Sequence, residues 1–196
     1  MIAFATAIIL MLITPGPGVL AAAGVGASYG LRAGSRYLAG LFAGNLAVSL
    51  IVISGLWTLL ATLPNLRFAL SIASLAYFIY LAAKVAMANS DISFGHVTNA
   101  PRFANGLVLQ LINPKAYAVN TFLFSNFPLF PSEWALEVGV KLIIFNAIWI
   151  PIHFVWLQLG AMIQRLDLEP HVQRRINIMM AASLLVVVAL AVLEIY

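Results

Sequence analysis

Charge is what this sequence has least of. Only 8% of its 196 residues are Asp, Glu, Lys or Arg, whereas 63% are apolar and the mean hydropathy is +1.03. A soluble domain carries roughly 25% charged residues because its surface must face water. The solvent for most of this surface is therefore lipid. Cysteine is absent altogether, which excludes disulfides, thiolate metal sites and thiol–disulfide relays. Carboxylates are scarce and peripheral: Asp91, Glu133, Asp167, Glu169 and Glu194 fall at the ends of apolar blocks or between them, and Glu137 lies near such an end. Carboxylate cation or metal sites are disfavoured on that count, and no cofactor is implied. Intramembrane proteolysis would need paired Asp, a Ser with a base, or HExxH, and none is present. Nothing here reads as an enzyme. No run of Lys and Arg with interleaved aromatics exists to follow a nucleic acid either. The net charge of +4 comes from basic residues at block ends, where such residues set membrane orientation.

What is present is a series of long apolar runs. About 20 residues cross a hydrocarbon core of ~30 Å, and turn residues and charges divide the chain into six such blocks. The expected helices are Ile2–Tyr29, Tyr37–Leu63, Leu66–Ala88, Phe103–Phe127, Glu133–Gln164 and Val172–Glu194. Between them lie Gly30–Arg36, a turn at Pro64–Asn65, Asn89–Arg102, Pro128–Ser132 and Arg165–His171. The first block has no basic n-region and is uncharged from Ile2 to Leu31, so it reads as a retained spanning helix rather than a signal peptide. One membrane domain, residues 1–196, is the whole of the expected architecture. The connections after helices one, three and five carry seven Lys and Arg residues (Arg32, Arg36, Lys84, Arg102, Arg165, Arg174 and Arg175), against Arg67 and Lys141 opposite. That bias puts the odd connections in the cytoplasm and both termini outside.

The two halves resemble each other. Thr14-Pro15-Gly16-Pro17-Gly18 interrupts the first helix, and Asn113-Pro114-Lys115 interrupts the fourth, 99 residues later counted from Pro15 to Pro114. Asn45 and Asn146 follow in the next helices, 101 residues apart. Three helices per half make the second half insert upside down. The expectation is an all-α integral membrane protein of two inverted three-helix repeats, residues 1–89 and 103–196, joined by a cytoplasmic loop at 90–102. Helices broken at matching positions are the pointer to a transporter's binding site.

Each Pro removes an amide and frees a carbonyl one turn back, and the residue before it leaves the α region. Backbone exposed in this way at membrane depth must be buried in protein or line a wet cavity. Thr14, Pro15, Gly16, Pro17, Gly18, Asn113 and Pro114 are therefore candidate substrate-binding positions, with a packed kink as the alternative. Lys115 sits near mid-membrane, where an ionised Lys costs on the order of 2.5–3.5 kcal/mol. It reads as a cation facing an aqueous cavity, or as one satisfied by carbonyls freed at the Pro breaks. Asn45 and Asn146 read as substrate contacts or as hydrogen-bonding links between helices. Gly40 and Gly44 permit close helix approach. His153, the one spanning His, is a candidate proton carrier alongside Lys115, or a hydrogen-bonded structural residue.

Thr14-Pro15-Gly16-Pro17-Gly18, Tyr29-Gly30-Leu31-Arg32-Ala33-Gly34, Gly40 and Gly44, and Gly106 through Leu111-Ile112-Asn113-Pro114-Lys115-Ala116 together resemble the LysE/RhtB family of amino-acid exporters, in order and spacing over nearly the full chain. The resemblance implies export of amino acids or close derivatives from the bacterial cytoplasm through the inner membrane, driven by an ion gradient, usually protons. Its implied partners are an amino-acid-like solute and membrane lipid; a homo-oligomer is compatible with it. Gly18 stands where the family often has Asn, and beyond Asn120 the likeness is mainly one of hydropathy. The other readings are export of a different small solute or ion on the same scaffold, and a membrane scaffold that transports nothing.

Overall fold

Lipid offers no hydrogen bonds, so an apolar chain must satisfy its backbone within each segment. In a computed structural model of the protein every described element is accordingly an α-helix. The structure describes residues 1–13, 16–55, 79–83, 85–87, 100–166 and 169–193 and the single positions 63, 65, 69, 72 and 76, with backbone only at 164, 173, 184 and 187–193. Its helices are α1 (Ile2–Ile13), α2 (Pro17–Ile53), α3 (Phe103–Ile112), α4 (Pro114–Asn126), α5 (Trp134–Arg165) and α6 (Pro170–Leu193). These labels follow the chain and do not count membrane crossings. Among the described residues, two helices are long and apolar enough to cross a membrane, Pro17–Ile53 and Trp134–Ile163. Thr14, Pro15, Pro64, most of the expected helix Leu66–Ala88 and residues 89–99 of the long connection lie outside the described residues.

The expected connection Gly30–Arg36 does not exist as a loop. Helical structure continues on both sides of Gly30, whose φ of 74° and ψ of 179° place it in a region essentially reserved for glycine. That one residue reverses the chain. Gly26 and Gly34, four residues to either side, both pack on Leu157 of α5, so the arms 17–29 and 31–53 run back along each other. The second arm also stops at Ile53 rather than Leu63, closed by Ser54 and by Gly55 at φ 75°. Any side chain at position 30 forces about 1–3 kcal/mol of backbone strain. Gly30→Ala is expected to lower the thermal midpoint of the purified protein by several degrees, read by scanning fluorimetry.

Close backbone approach builds the rest. The second arm of α2 crosses α3 with Gly40 against the Phe103 carbonyl and Gly106 against the Tyr37 carbonyl; Gly160 of α5 meets the Ala23 carbonyl of the first arm. In lipid such contacts replace the hydrophobic drive between helices with van der Waals packing. The first arm is enclosed on nearly every side, with Ala21 to Ser28 all buried. On α5 the inward face repeats every four residues: Lys141, Phe145, Trp149, His153, Leu157 and Ala161 are buried, while Ile143, Ile150, Val155, Leu159 and Met162 are exposed. Polar groups inside and apolar ones outside is the pattern of a helix in lipid. Lys141, expected at a helix end, is one of the buried residues; its Nζ donates to Glu137 Oε1 at 2.6 Å and to the Phe124 carbonyl at 2.9 Å. α6 begins at Pro170, two residues before the expected Val172, because proline is suited to a first helical position.

Candidate functional site

The fourth expected helix is interrupted at Asn113. Its ψ of 108° is extended, as the residue before a proline requires, and Pro114 then opens α4 at the first helical position. The freed backbone groups are accounted for. The Gln110 carbonyl, deprived of an amide at 114, accepts from the Asn113 N–H at 3.3 Å. The Leu111 carbonyl accepts from the Tyr117 hydroxyl at 2.8 Å. The Asn113 side chain caps α4 by accepting from the Lys115 N–H at 3.1 Å, the role for which Asn is favoured. The break is thus stabilised by its own sequence and leaves the Lys115 side chain to be directed by the helix start.

The first break ends at Gly16, extended at φ −153°, ψ 175°, with Pro17 as the first residue of α2 and no side chain capping that end. The two breaks meet. A Cβ placed on Gly16 would stand 2.8 Å from Lys115 Cδ and 2.9 Å from its Nζ. Around this junction lies an open cavity of about 40 Å³, lined by Met11, Leu12, Gly16, Gly18, Val19, Asn45, Gln110, Asn113, Lys115, Ala116, Val119, Asn120, Phe145, Trp149 and His153. Its lining, among the described residues, contains no Asp or Glu. Of the candidate residues named from sequence, the structure brings together Gly16, Gly18, Asn45, Asn113, Lys115 and His153. Pro17 and Pro114 open the two helices behind the lining, and Thr14 and Pro15 lie outside the described residues. Asn146 does not reach the cavity. It faces another side of α5 and donates to the Leu142 carbonyl at 2.8 Å.

The cavity's amides form a directed chain. Asn113 Nδ2 donates to Gln110 Oε1 at 3.3 Å, and Gln110 Nε2 donates to Asn45 Oδ1 at 3.2 Å. The chain ends on Asn45 Nδ2, buried and without a hydrogen-bond partner among the described residues. An unpaired donor at low dielectric is costly, so this end of the chain favours an acceptor. Nearby, Ser49 donates to Asn120 Oδ1 at 2.6 Å, and Asn120 Nδ2 to the Ala116 carbonyl at 2.8 Å. Opposite, His153 stacks on Trp149 at 3.6 Å between ring centroids, with Nδ1 2.9 Å from the Trp149 carbonyl. A carbonyl only accepts, so Nδ1 carries the proton and Nε2 of the neutral ring is an acceptor. That Nε2 is the nearest atom, 3.4 Å, to a Cβ placed on Gly18. The site therefore sets a cation and one unpartnered amide, Asn45 Nδ2, against a neutral ring acceptor, His153 Nε2.

Sequence reading missed Gln110, Asn120 and Trp149 as lining residues. Gln110 and Asn120 carried the same signal as Asn45, an uncharged polar side chain inside an apolar run. Trp149 carried none, since an aromatic at helical spacing reads as core.

Comparison with known proteins places the chain in a family. The chain is 30% identical over 185 residues to the cysteine/O-acetylserine efflux protein of Escherichia coli O1:K1 / APEC, covering 93% of this chain and 92% of that protein. It is 29% identical, with the same coverage, to the proteins of that name in Escherichia coli strain K12 and Shigella flexneri serotype 5b. No solved structure matches. The LysE type translocator family matches residues 9–194. With its helices, its lipid-facing surface and that match along nearly its whole length, the chain belongs to the LysE type translocators, membrane transport proteins rather than enzymes.

Proposed function

We propose that this protein exports amino acids or close derivatives with uncharged side chains across the bacterial inner membrane, by alternating access coupled to proton influx. One observation carries the reading: both helix interruptions open onto the same cavity, with Gly16 of one against Lys115 of the other. The N-termini of α2 and α4 converge there. First-turn amides lack intrahelical partners, and the positive dipole end of a helix attracts anions. Lys115, with the backbone from Thr14 to Gly18 and at Asn113 and Pro114, holds the substrate carboxylate. His153 Nε2 accepts from the ammonium group, and Asn45 Nδ2 donates to the substrate. Asn146, off the lining, is left out of this set.

The same frame supports six spanning helices in two inverted repeats. α1 with the first arm of α2 makes the first span and α3 with α4 the fourth, each a pair of short helices about an interruption. Both termini are outside, following the basic residues.

The cavity's charge limits the substrate. Among the described residues no carboxylate lines it to meet a cationic side chain, and Lys115 repels one by about 2 kcal/mol at ~7 Å and an effective dielectric of ~20. The efflux proteins that this chain resembles are named for cysteine and O-acetylserine, both amino acids with short uncharged side chains. In proteoliposomes, counterflow of cysteine, O-acetylserine or serine is expected to exceed that of lysine by at least about tenfold. Lysine exchanging as fast as the neutral amino acids would overturn the substrate class, and no counterflow of any amino acid would overturn the exporter reading.

A further inference from the structure

The sense of the amide chain in the cavity is fixed at one end by the backbone. The Lys115 N–H belongs to the first turn of α4 and can only donate. The Asn113 side chain must therefore turn Oδ1 to it, at 3.1 Å, which leaves Nδ2 facing Gln110. A donor there requires Gln110 Oε1 as its acceptor, at 3.3 Å. Gln110 then has only Nε2 to offer Asn45, which takes it on Oδ1 at 3.2 Å. Nδ2 of Asn45 is what remains, so the helix break dictates a donor at the far end of the chain.

That donor is an exception in an otherwise satisfied network. Asn45 is 1% exposed and lines the cavity, yet its Nδ2 has no hydrogen-bond partner among the described residues. A buried amide left unpaired is costly, and each such group in a folded protein calls for an explanation. Asn120, the fourth amide of the lining, is engaged at both ends: its Nδ2 donates to the Ala116 carbonyl and its Oδ1 accepts from Ser49. Met11, Leu12, Val119 and Phe145, also in the lining, are apolar. Lys115 and His153 Nε2 are matched to the carboxylate and ammonium groups that every amino acid shares. They cannot tell one uncharged amino acid from another; the Asn45 amide can.

We propose that Asn45 Nδ2, oriented by Gln110, reads the substrate side chain, so that the site selects amino acids whose side chains carry a hydrogen-bond acceptor. The inference rests on the amino-acid export reading. A ketone, ester or amide oxygen in the side chain gives Asn45 the partner it lacks. An apolar side chain of equal size leaves the donor unpaired, and a site built around a hydrogen bond discriminates strongly against an analogue that cannot make it. Gln110 acts through Asn45 and is a positioning residue. With Oδ1 held by Gln110, the Asn45 amide cannot turn its oxygen to the substrate. The Gln110 stem is itself seated on the second arm of α2, with Cβ 2.7 Å from a Cβ placed on Gly44.

The test is counterflow in proteoliposomes with two probes of one shape. Acetonylglycine (asparagine with a methyl group in place of its amide nitrogen) carries a ketone oxygen where leucine has a methyl group, and its side chain has no donor. For the parent protein the apparent affinity for acetonylglycine is expected to exceed that for leucine at least about tenfold. Gln110→Met keeps the methylenes that pack on Gly44 and removes both hydrogen bonds; the ratio is expected to fall at least about fivefold. A general loss of folding or transport depresses both probes alike, so a merely structural role leaves the ratio where it was. If Gln110→Met is not monodisperse, Asn45→Ala, which removes the donor itself, takes over with the same expected fall. A parent ratio within about twofold of unity overturns the proposal, and so does a ratio that the folded variants leave unchanged. In both cases amino acids still exchange and the export reading stands. Counterflow of no amino acid by the parent protein strikes the export reading itself, and this inference with it.

Discussion

Lys115→Ala is expected to lower the apparent affinity for exported amino acids about 10- to 100-fold, measured as counterflow in proteoliposomes, while the protein inserts and stays monodisperse. A hydrogen bond to a charged group contributes about 1.5–3 kcal/mol, and each 1.4 kcal/mol is about tenfold. Folding is expected to survive because the Lys115 backbone amide, which the Asn113 cap requires, is untouched. Removing a half-buried cation from a membrane interior also removes an unfavourable group. Lys115→Arg should recover only part of the loss. It keeps the charge, but the stem and head must fit where Gly16 leaves clearance, and even a Cβ at Gly16 would stand 2.8 Å from Lys115 Cδ. Unchanged transport of every responsive solute by Lys115→Ala would remove Lys115 from the site.

Gly106→Ala, a single added carbon, is expected to be among the most damaging small substitutions at the described glycines. The new Cβ would stand 2.2 Å from the Tyr37 carbonyl oxygen and 2.8 Å from the Leu41 nitrogen. Both are backbone atoms of α2, and no rotamer change can relieve them. Overpacking costs about 1–3 kcal/mol even where side chains can adjust, so the α2–α3 crossing should open and the protein should leave detergent extraction aggregated. Gly139→Ala is the matched control on α5. Nothing lies within 4 Å of its would-be Cβ, and alanine improves helix propensity by up to about 1 kcal/mol. Fluorescence-detected size exclusion of the two variants side by side makes the comparison. A monodisperse Gly106→Ala with an unchanged thermal midpoint would mean that the crossing is looser than these distances.

Composition and punctuation made much of the fold legible. The interruption at Asn113-Pro114 and the boundaries of α4 and α5 fall within a residue or two of where proline, charge and apolar length put them. The reversal at Gly30 was not legible, because Leu31 to Arg36 carries two arginines and reads as polar. A single φ of 74° accomplishes what a loop was expected to do, and only coordinates reveal it. The site divides in the same way. Gly16, Gly18, Asn113 and Lys115 announced themselves through proline and misplaced charge, and Asn45 through polarity in an apolar run. Asn146 had the same polarity, but helix rotation turns it from the cavity, and one sequence does not fix rotation at that resolution. The Glu137–Lys141 pair was hidden by its nearness to a block end, where charges ordinarily meet water.

The seating of Leu157 against both Gly26 and Gly34 has a mechanical meaning. The two arms are joined by one rigid corner, so α5 is gripped at that end and resists sliding along its axis. A helix held so tightly at one point is free only to tilt about it. At 1.5 Å per residue, His153 lies about 6 Å and Lys141 about 24 Å from this fulcrum. A tilt of about 10° would move His153 by about 1 Å but Lys141 by about 4 Å. Such a tilt would leave the ring beside Gly18 nearly still while the far end moved by more than a hydrogen-bond length.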